Sequence, residues 1–462
     1  MTSSLPKSWS WATFQDVASP DKNAIVDGPF GSNLKVADYI DDQDGIPVLS
    51  TKNLKQGFRN DLVRFISREK FEELKRSEVK GGDILVAKIG SVGKSAIYPE
   101  GHNSAMIPAN LLKMTVNPLM DRKFTFYFIN SLFFFKELSL ITTATAQPAF
   151  NVTKFRKLKI PIPPLPEQHR IVAKLEELFT KLDAGVDALK QVRAQLKRYR
   201  QSVLKAAVEG RLTVEWREEH KDELEFGDEL LERILKERRV KWEARQLARY
   251  EAQDKSPPKN WRDKYKEPRP PETSELPKLP RRWGWATAEQ LTNLITDGEH
   301  VTPLRTKRGI LLLSARNIQN GHLSFQKVDY VSKETYKKLT KRLKIKYGDV
   351  LMSCSGSVGR SCVAPEDQPF CLVRSVAVLR PVDKMGDFLS YCIQSPFLQK
   401  QIDEKKTQTA QANIFQGKIR QLVFPVAPSL EQIKIVKSID RLFSIIDESE
   451  QIIEFELKHA QS

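Results

Sequence analysis

GSVGKS at residues 90–95 brings together two glycines, a lysine and hydroxyls, the residue types with which loops cradle phosphate. A nucleotide-binding phosphate loop needs four residues between its glycines. Here there are two, and Lys88 stands where the first glycine should be. A second stretch, GSVGRS at 356–361, replaces Lys94 by Arg360. The spacing argues against nucleotide binding and favours a Gly-Ser turn that presents a cation, since glycine permits close backbone approach to a phosphate and either cation supplies the charge. A plain hairpin turn explains the same glycines.

Other catalytic constellations fail in the same way. Pro20-Asp21 with Glu78-Val79-Lys80 has the residue types of a metal-dependent nuclease, but the counterpart Lys344-Ile345-Lys346 lacks the carboxylate a Mg²⁺ site requires. Ser256-Pro257-Pro258-Lys259 lacks the aromatic residue that ends a base-methyltransferase motif. The six histidines have no serine or cysteine at a suggestive spacing. Cys354, Cys362, Cys371 and Cys392 form no CxxC pair, which argues against both a zinc site and a disulfide scaffold. No catalysis, no metal and no cofactor of its own are expected.

What remains are polar loops that occur twice. Lys52 and Asn53 answer Arg316 and Asn317, and Thr145 and Gln147 answer Thr409 and Gln411. Lys55, Lys88, Ser91, Lys94 and Asn151 join them in the first half, and Ser353, Ser357, Arg360 and Asn413 in the second. Lysine, arginine, asparagine and glutamine read base edges, and serine and threonine contact phosphates, so these residues are the candidate DNA-binding set. Taken singly, each is equally a solvated loop or a turn cap.

The elements that position them repeat as well. TATAQPAFNVTKFRKLKIPIPPLPEQHRIVAKLEELFTKLD at 143–183 returns as TQTAQANIFQGKIRQLVFPVAPSLEQIKIVKSIDRLFSIID at 407–447 without a gap. LPKSWSWATFQDVA at 5–18 answers LPRRWGWATAEQLT at 279–292, and GDILVAKIGSVGKSAI at 82–97 answers GDVLMSCSGSVGRSCV at 348–363. The offset drifts from 274 at Trp9 and Trp283 to 264 at Gln147 and Gln411, as expected for loop indels on a shared core. Short β-branched runs at Ile46–Leu49, Asp83–Val86 and Leu111–Val116 predict strands, and Ser67–Glu78 and Phe124–Leu140 predict helices. The fold class is a mixed α/β, α+β-like globule in two copies.

After Pro166 the pattern changes to heptads. Leu175, Leu182, Leu189 and Leu196 share one position, and Ile439, Leu442 and Ile446 continue the seam in the second copy. Some 40 residues of helix would reach about 60 Å, so two antiparallel coiled-coil helices are expected to bury their stripes on each other and space the globules. The chain thus divides into a globule at 1–166, a first spacer helix at 167–212, a charged helix and Pro-rich linker at 213–278, a second globule at 279–430 and a short second helix at 431–462. The second helix lacks the stretch matching Tyr199–Leu212. The net charge of +17 favours a polyanionic partner. Phe124–Ile141 is interrupted by Asn130, Lys136 and Glu137, so it reads as a buried helix rather than a membrane span, and with no signal-peptide pattern the expected place is the cytoplasm.

These blocks resemble the specificity subunit of type I restriction–modification systems, in the LPxxWxW start, the SxxNI and GDxLxxxxGSVG blocks, the IPxPPLPEQxxIVxKLE helix start, the LKRYRQSVLKAAVEGRL run at 196–212 and the second LPxxWxW. The resemblance implies two target-recognition domains, each reading half of a split site in double-stranded DNA, and helices that dock two modification subunits, to which a translocating restriction subunit attaches. It implies that S-adenosylmethionine, ATP and Mg²⁺ belong to those partners, with adenine methylated by the modification subunits. Two other readings stay open on the residues alone: a coiled-coil DNA-binding adaptor without sequence readout, and a nuclease or methyltransferase with an unrecognised site.

Overall fold

The structure, a computed structural model, describes residues 5–31, 33–42, 44–143, 146–301, 303–366, 368–407 and 410–460. It divides into two compact units, Met1–Gly185 and Val186–Ser462. Each carries one copy of the repeat, and each is described by itself.

In the first unit the LPxxWxW block forms Ser10–Thr13, paired antiparallel with Lys159–Ile162. A four-stranded antiparallel sheet runs in the order Ile25–Asp27, Leu111–Met114, Ile84–Ala87, Ser95–Ile97. A second sheet of five short strands holds Ile46–Val48 at its centre. The buried strand Ile84–Ala87 reads as a continuous apolar run because both of its faces are covered. The predicted helix at 124–140 is instead two helices, Arg122–Ile129 and Leu132–Ile141. The break has a local cause: Asn130 Nδ2 donates back to Phe126 O at 2.8 Å, and Ser131 Oγ accepts from Phe134 N as an N-cap. The helix predicted over 67–78 likewise stops at Glu73 and tightens into a 3₁₀ turn at Lys75–Ser77.

The second unit repeats this plan. Gly284–Thr287 pairs with Val423–Val426, and the four-stranded order is Thr292–Asp297, Val376–Pro381, Val350–Ser353, Ser361–Val363. Side-chain bonds recur at matching positions. Lys80 N–H donates to Asp83 Oδ2 at 2.9 Å and Lys346 N–H to Asp349 Oδ2 at 2.8 Å, so the aspartate of each GD pair closes the turn before its strand. Both aspartates are buried and neutralised by the adjacent strand, Asp83 by Lys113 at 3.7 Å and Asp349 by a bidentate Arg380 with both bonds at 2.7 Å.

Three longer helices complete the molecule: α1 (Leu165–Val208), α2 (Gly227–Glu251) and α3 (Ser429–His459). The PEQ and LEQ triplets explain how α1 and α3 begin. Gln168 Nε2 donates to Pro163 O and Gln432 Nε2 to Ala427 O, both at 2.8 Å, tying each first turn to the Pro-rich stop before it. Within the second unit α3 packs antiparallel to the end of α1. Arg200 meets Asp447 at 2.5 Å, Arg217 meets Glu431 at 2.8 Å, and Val203, Leu204, Ala207 and Val208 share a core with Ile435, Ile439, Phe443 and Ile446. The linker predicted as a plain extended spacer folds back in part: Trp261 is buried and stacks at 6.0 Å on Trp242 of α2, and Tyr265 also lies against Trp242. Among the described residues no single helix is long and apolar enough to cross a membrane. The pair at 122–141, the one bent pair that passes by length and composition, buries Phe124, Ile129, Phe134 and Leu138 in the first core.

Candidate nucleic-acid interface

Each GSVG block is a tight hairpin. Gly90 and Gly93 take φ of 79° and 84°, and Gly356 and Gly359 take 73° and 93°, a region that disfavours any Cβ. Gly93 N–H donates to Ala87 O at 3.0 Å and Gly359 N–H to Ser353 O at 2.9 Å, which closes the turn identically in both copies.

The polar loop then lies against this hairpin. Gly90 N–H donates to Pro148 O and Gly356 N–H to Ala412 O, both at 2.9 Å, and bridges join Ile89 to Ala149 and Ser355 to Asn413. Phe150 N–H donates to Lys88 O at 3.2 Å and Ile414 N–H to Cys354 O at 3.0 Å. Two stretches some 55 residues apart in sequence are thereby joined, Gln147 beside the turn carrying Ser91 and Lys94, and Gln411 beside the turn carrying Ser357 and Arg360. In the second unit this junction borders a cleft of about 920 Å³ lined by Asp297, Glu299, Arg374, Gln411, Asn413 and Phe415 among others.

The predicted residues divide into presented and structural ones. Lys52, Lys55, Ser91, Lys94, Gln147, Ser357 and Gln411 are exposed. Arg316 is exposed and held by Asp329 at 2.9 Å, and Arg360 donates to Gln319 Oε1 at 3.1 Å. Asn151 is exposed and caps a short helix, accepting from Thr153 N at 2.7 Å; Asn413 Nδ2 donates to Gln411 O at 2.9 Å. Thr145 and Thr409 lie outside the described residues.

Four expectations are corrected. Asn53 is 1 % exposed and accepts from Ser50 N and Oγ at 2.7 and 3.0 Å while donating to Gly57 O. Asn317 is fully buried in the same role, accepting from Ser314 N and Oγ and donating to Ser324 O. Both close a loop with every polar atom engaged, so neither is available to a base. Ser353 is buried, donating to Ser357 O and accepting from Arg360 N, and braces the hairpin from inside. Lys88 is buried with Nζ 2.6 Å from Asp27 Oδ2, so its charge is neutralised within the fold. Serine, asparagine and glycine at short spacing signal a turn cap as strongly as a DNA contact, and burial, which decides between them, is absent from the sequence.

The helix positions divide too. Ile439 and Ile446 are buried, and Leu196 and Leu442 pack at the margin of the same core. Leu175 and Leu189 are half-buried. Leu182 is 47 % exposed, and Leu178, Phe179, Val192 and Tyr199 between 42 and 49 %. Within the second unit α3 covers Leu196, Val203, Leu204, Ala207 and Val208 at the end of the α1 stripe and leaves Val192 exposed.

The four thiols are all buried and unpaired. Burial pushes Cys354 and Cys362 up to about 12 and Cys371 up to about 11, so all three stay protonated near neutrality and serve as small apolar fillers. Among the described residues no group of three histidine, cysteine or carboxylate side chains could hold a metal ion.

The model of the type I restriction modification DNA specificity domain matches the chain twice, at residues 32–198 and 304–458. The chain belongs to this family. Each match takes in the GSVG hairpin and polar loop of one copy and ends within its long helix, so the repeat seen in the bonds is the family's domain taken twice. The specificity subunit of the type I restriction enzyme EcoBI of Escherichia coli is 26 % identical over 327 residues, covering 68 % of this chain and 58 % of that protein, so the chain spans a little over half of that relative's length. The EcoAI specificity subunit of Escherichia coli is 23 % identical and covers 97 % of this chain and 80 % of its own. Among solved structures, the HsdS subunit from Thermoanaerobacter tengcongensis superposes with a TM-score of 0.55 at 16 % identity, covering 100 % of this chain and 96 % of that one, a likeness of fold.

Proposed function

We propose that this specificity-family chain is the DNA sequence-specificity subunit of a type I restriction–modification complex. It is non-catalytic, and its two recognition domains each read one half of a split, asymmetric site in double-stranded DNA. The observation that carries the reading is the hairpin joined to a polar loop, built by the same bonds in both units yet carrying different side chains. A shared frame with varied lining is what two readers of different sequences need.

The helices take the spacer and docking roles. α1 and α3 set the gap between half-sites, as dimer geometry does in other two-module readers, and the open stripe on α1 is the surface for two modification subunits, to which the restriction subunit attaches. S-adenosylmethionine, ATP and Mg²⁺ are then held by those partners, and adenine methylation occurs on the modification subunits. A cytoplasmic location follows from this role. Exposed Lys52, Lys55, Lys94 and Arg316 supply phosphate contacts, and Gln147 and Gln411 stand where base edges are read.

Selection of duplexes from a random library by the full chain with its modification subunits tests this reading. The expected result is two short blocks of defined sequence at a fixed spacing, with roughly 1 to 3 kcal/mol lost per wrong base pair. Equal affinity for all duplexes at one salt concentration would make the chain an adaptor without readout.

A further inference from the structure

The backbone that walls the cleft of the second unit follows the same frame as the matching segments of the first. Gly28 N–H donates to Leu111 O at 3.4 Å and Gly298 N–H to Val376 O at 3.0 Å. Lys88 N–H donates to Asn110 O at 2.8 Å and Cys354 N–H to Ser375 O at 2.9 Å. A Cβ on Gly28 would lie 2.1 Å from Ile107 O, and one on Gly298 2.4 Å from Leu372 O, so both copies need bare backbone to bring the strand end against the facing loop. These bonds place Arg374 where the first copy has Ala109, Glu299 where it has Pro29, and Phe415 where it has Asn151.

Among these differences Arg374 stands out by its uncommitted donors. Its backbone is pinned on both sides: its N–H donates to Glu299 O at 2.9 Å, and its carbonyl accepts from the Cys354 thiol at 3.3 Å. Its exposed guanidinium makes no hydrogen bond or ion pair among the described residues. Nearby arginines are engaged: Arg305 meets Asp329 at 3.5 Å, and Arg342 donates to Asp297 O and Gly298 O at 2.9 and 2.7 Å. A fork of N–H groups on a pinned backbone thus lines the cleft, with nothing among the described residues to satisfy it.

We propose that Arg374 is a specificity-determining residue of the second recognition domain and presents its guanidinium to the major-groove edge of a guanine in that domain's half-site. The inference rests on the DNA-recognition reading above. Guanine offers O6 and N7 as two acceptors that match the fork, whereas a phosphate carries no sequence. A phosphate grip serves both half-sites alike and recurs in both copies, as the cation at Lys94 and Arg360 does. Arg374 faces Ala109 in that comparison, so it belongs with what distinguishes the half-sites.

The test is duplex selection by the full chain with its modification subunits, comparing wild type, Arg374→Ala and Arg374→Lys. The wild type is expected to require guanine at one position of the second half-site. Arg374→Ala loses that preference by on the order of tenfold or more, with the first half-site and the melting temperature unchanged. Arg374→Lys keeps the charge but not the fork and loses the preference as well. A motif without that guanine, or a variant that keeps the motif and binds every sequence more weakly with a salt slope shallower by about one, overturns the proposal and makes Arg374 a phosphate contact. A wild-type chain with no preferred sequence would instead defeat the recognition reading itself.

Discussion

Asn53 and Asn317 show how a single side chain can look like a reader and act as a builder. Each accepts two bonds from a serine three residues earlier and donates to a backbone carbonyl further on, next to an exposed cation, Lys52 or Arg316. Removing a buried, satisfied amide leaves several partners unpaired, so Asn53→Ala and Asn317→Ala are each expected to cost about 1–3 kcal/mol in chemical denaturation. Unchanged stability together with a relaxed DNA motif would return these residues to the reading surface. The sequence made their importance visible, because the SxxN spacing occurs twice, but it did not show which way the amide points. Exposed Lys52 and Arg316 carried the same sequence signal and a different fate. Glu299 and Arg374, which line the cleft and were not among the sequence candidates, were hidden because they differ between copies. The signal available was a side chain of reading type standing opposite an alanine or a proline in an otherwise aligned frame.

At the level of elements, the Pro-rich stops, the heptads and the GSVG turns were legible, because each depends on local chemistry: proline ends one element, glycine takes positive φ, and leucines at period 3.5 make a stripe. The partners of those stripes were not legible, since a stripe shows that a helix face is apolar and not what covers it. α3 buries Ile435, Ile439, Phe443 and Ile446 against the end of α1 and the second core, whereas Leu178, Leu182 and Val192 stay open. That contrast gives a clean separation of roles. Leu182→Asp is expected to leave unfolding within about 0.5 kcal/mol of wild type while weakening co-purification with the modification subunit. Ile439→Asp places a charge in a closed core and is expected to destabilise by several kcal/mol. Full retention of the modification subunit by Leu182→Asp would remove the open stripe from the docking surface.

Across the whole molecule, two copies of one frame meet a net charge of +17, which suits a polyanion followed over more than one contact region. The buried ion pairs Asp83–Lys113 and Asp349–Arg380 belong to the fold of each unit, so the charge available to DNA lies on the exposed loops. The central claim is that each unit reads its own half-site independently. Exchange of residues 1–155 for those of a family relative of known motif, followed by methylome sequencing of cells that carry the hybrid with its modification subunit, tests it most directly. The account predicts that one half of the methylated motif changes to the relative's and that the other half and the spacing stay as they were. A change in both halves, or in neither, would contradict it.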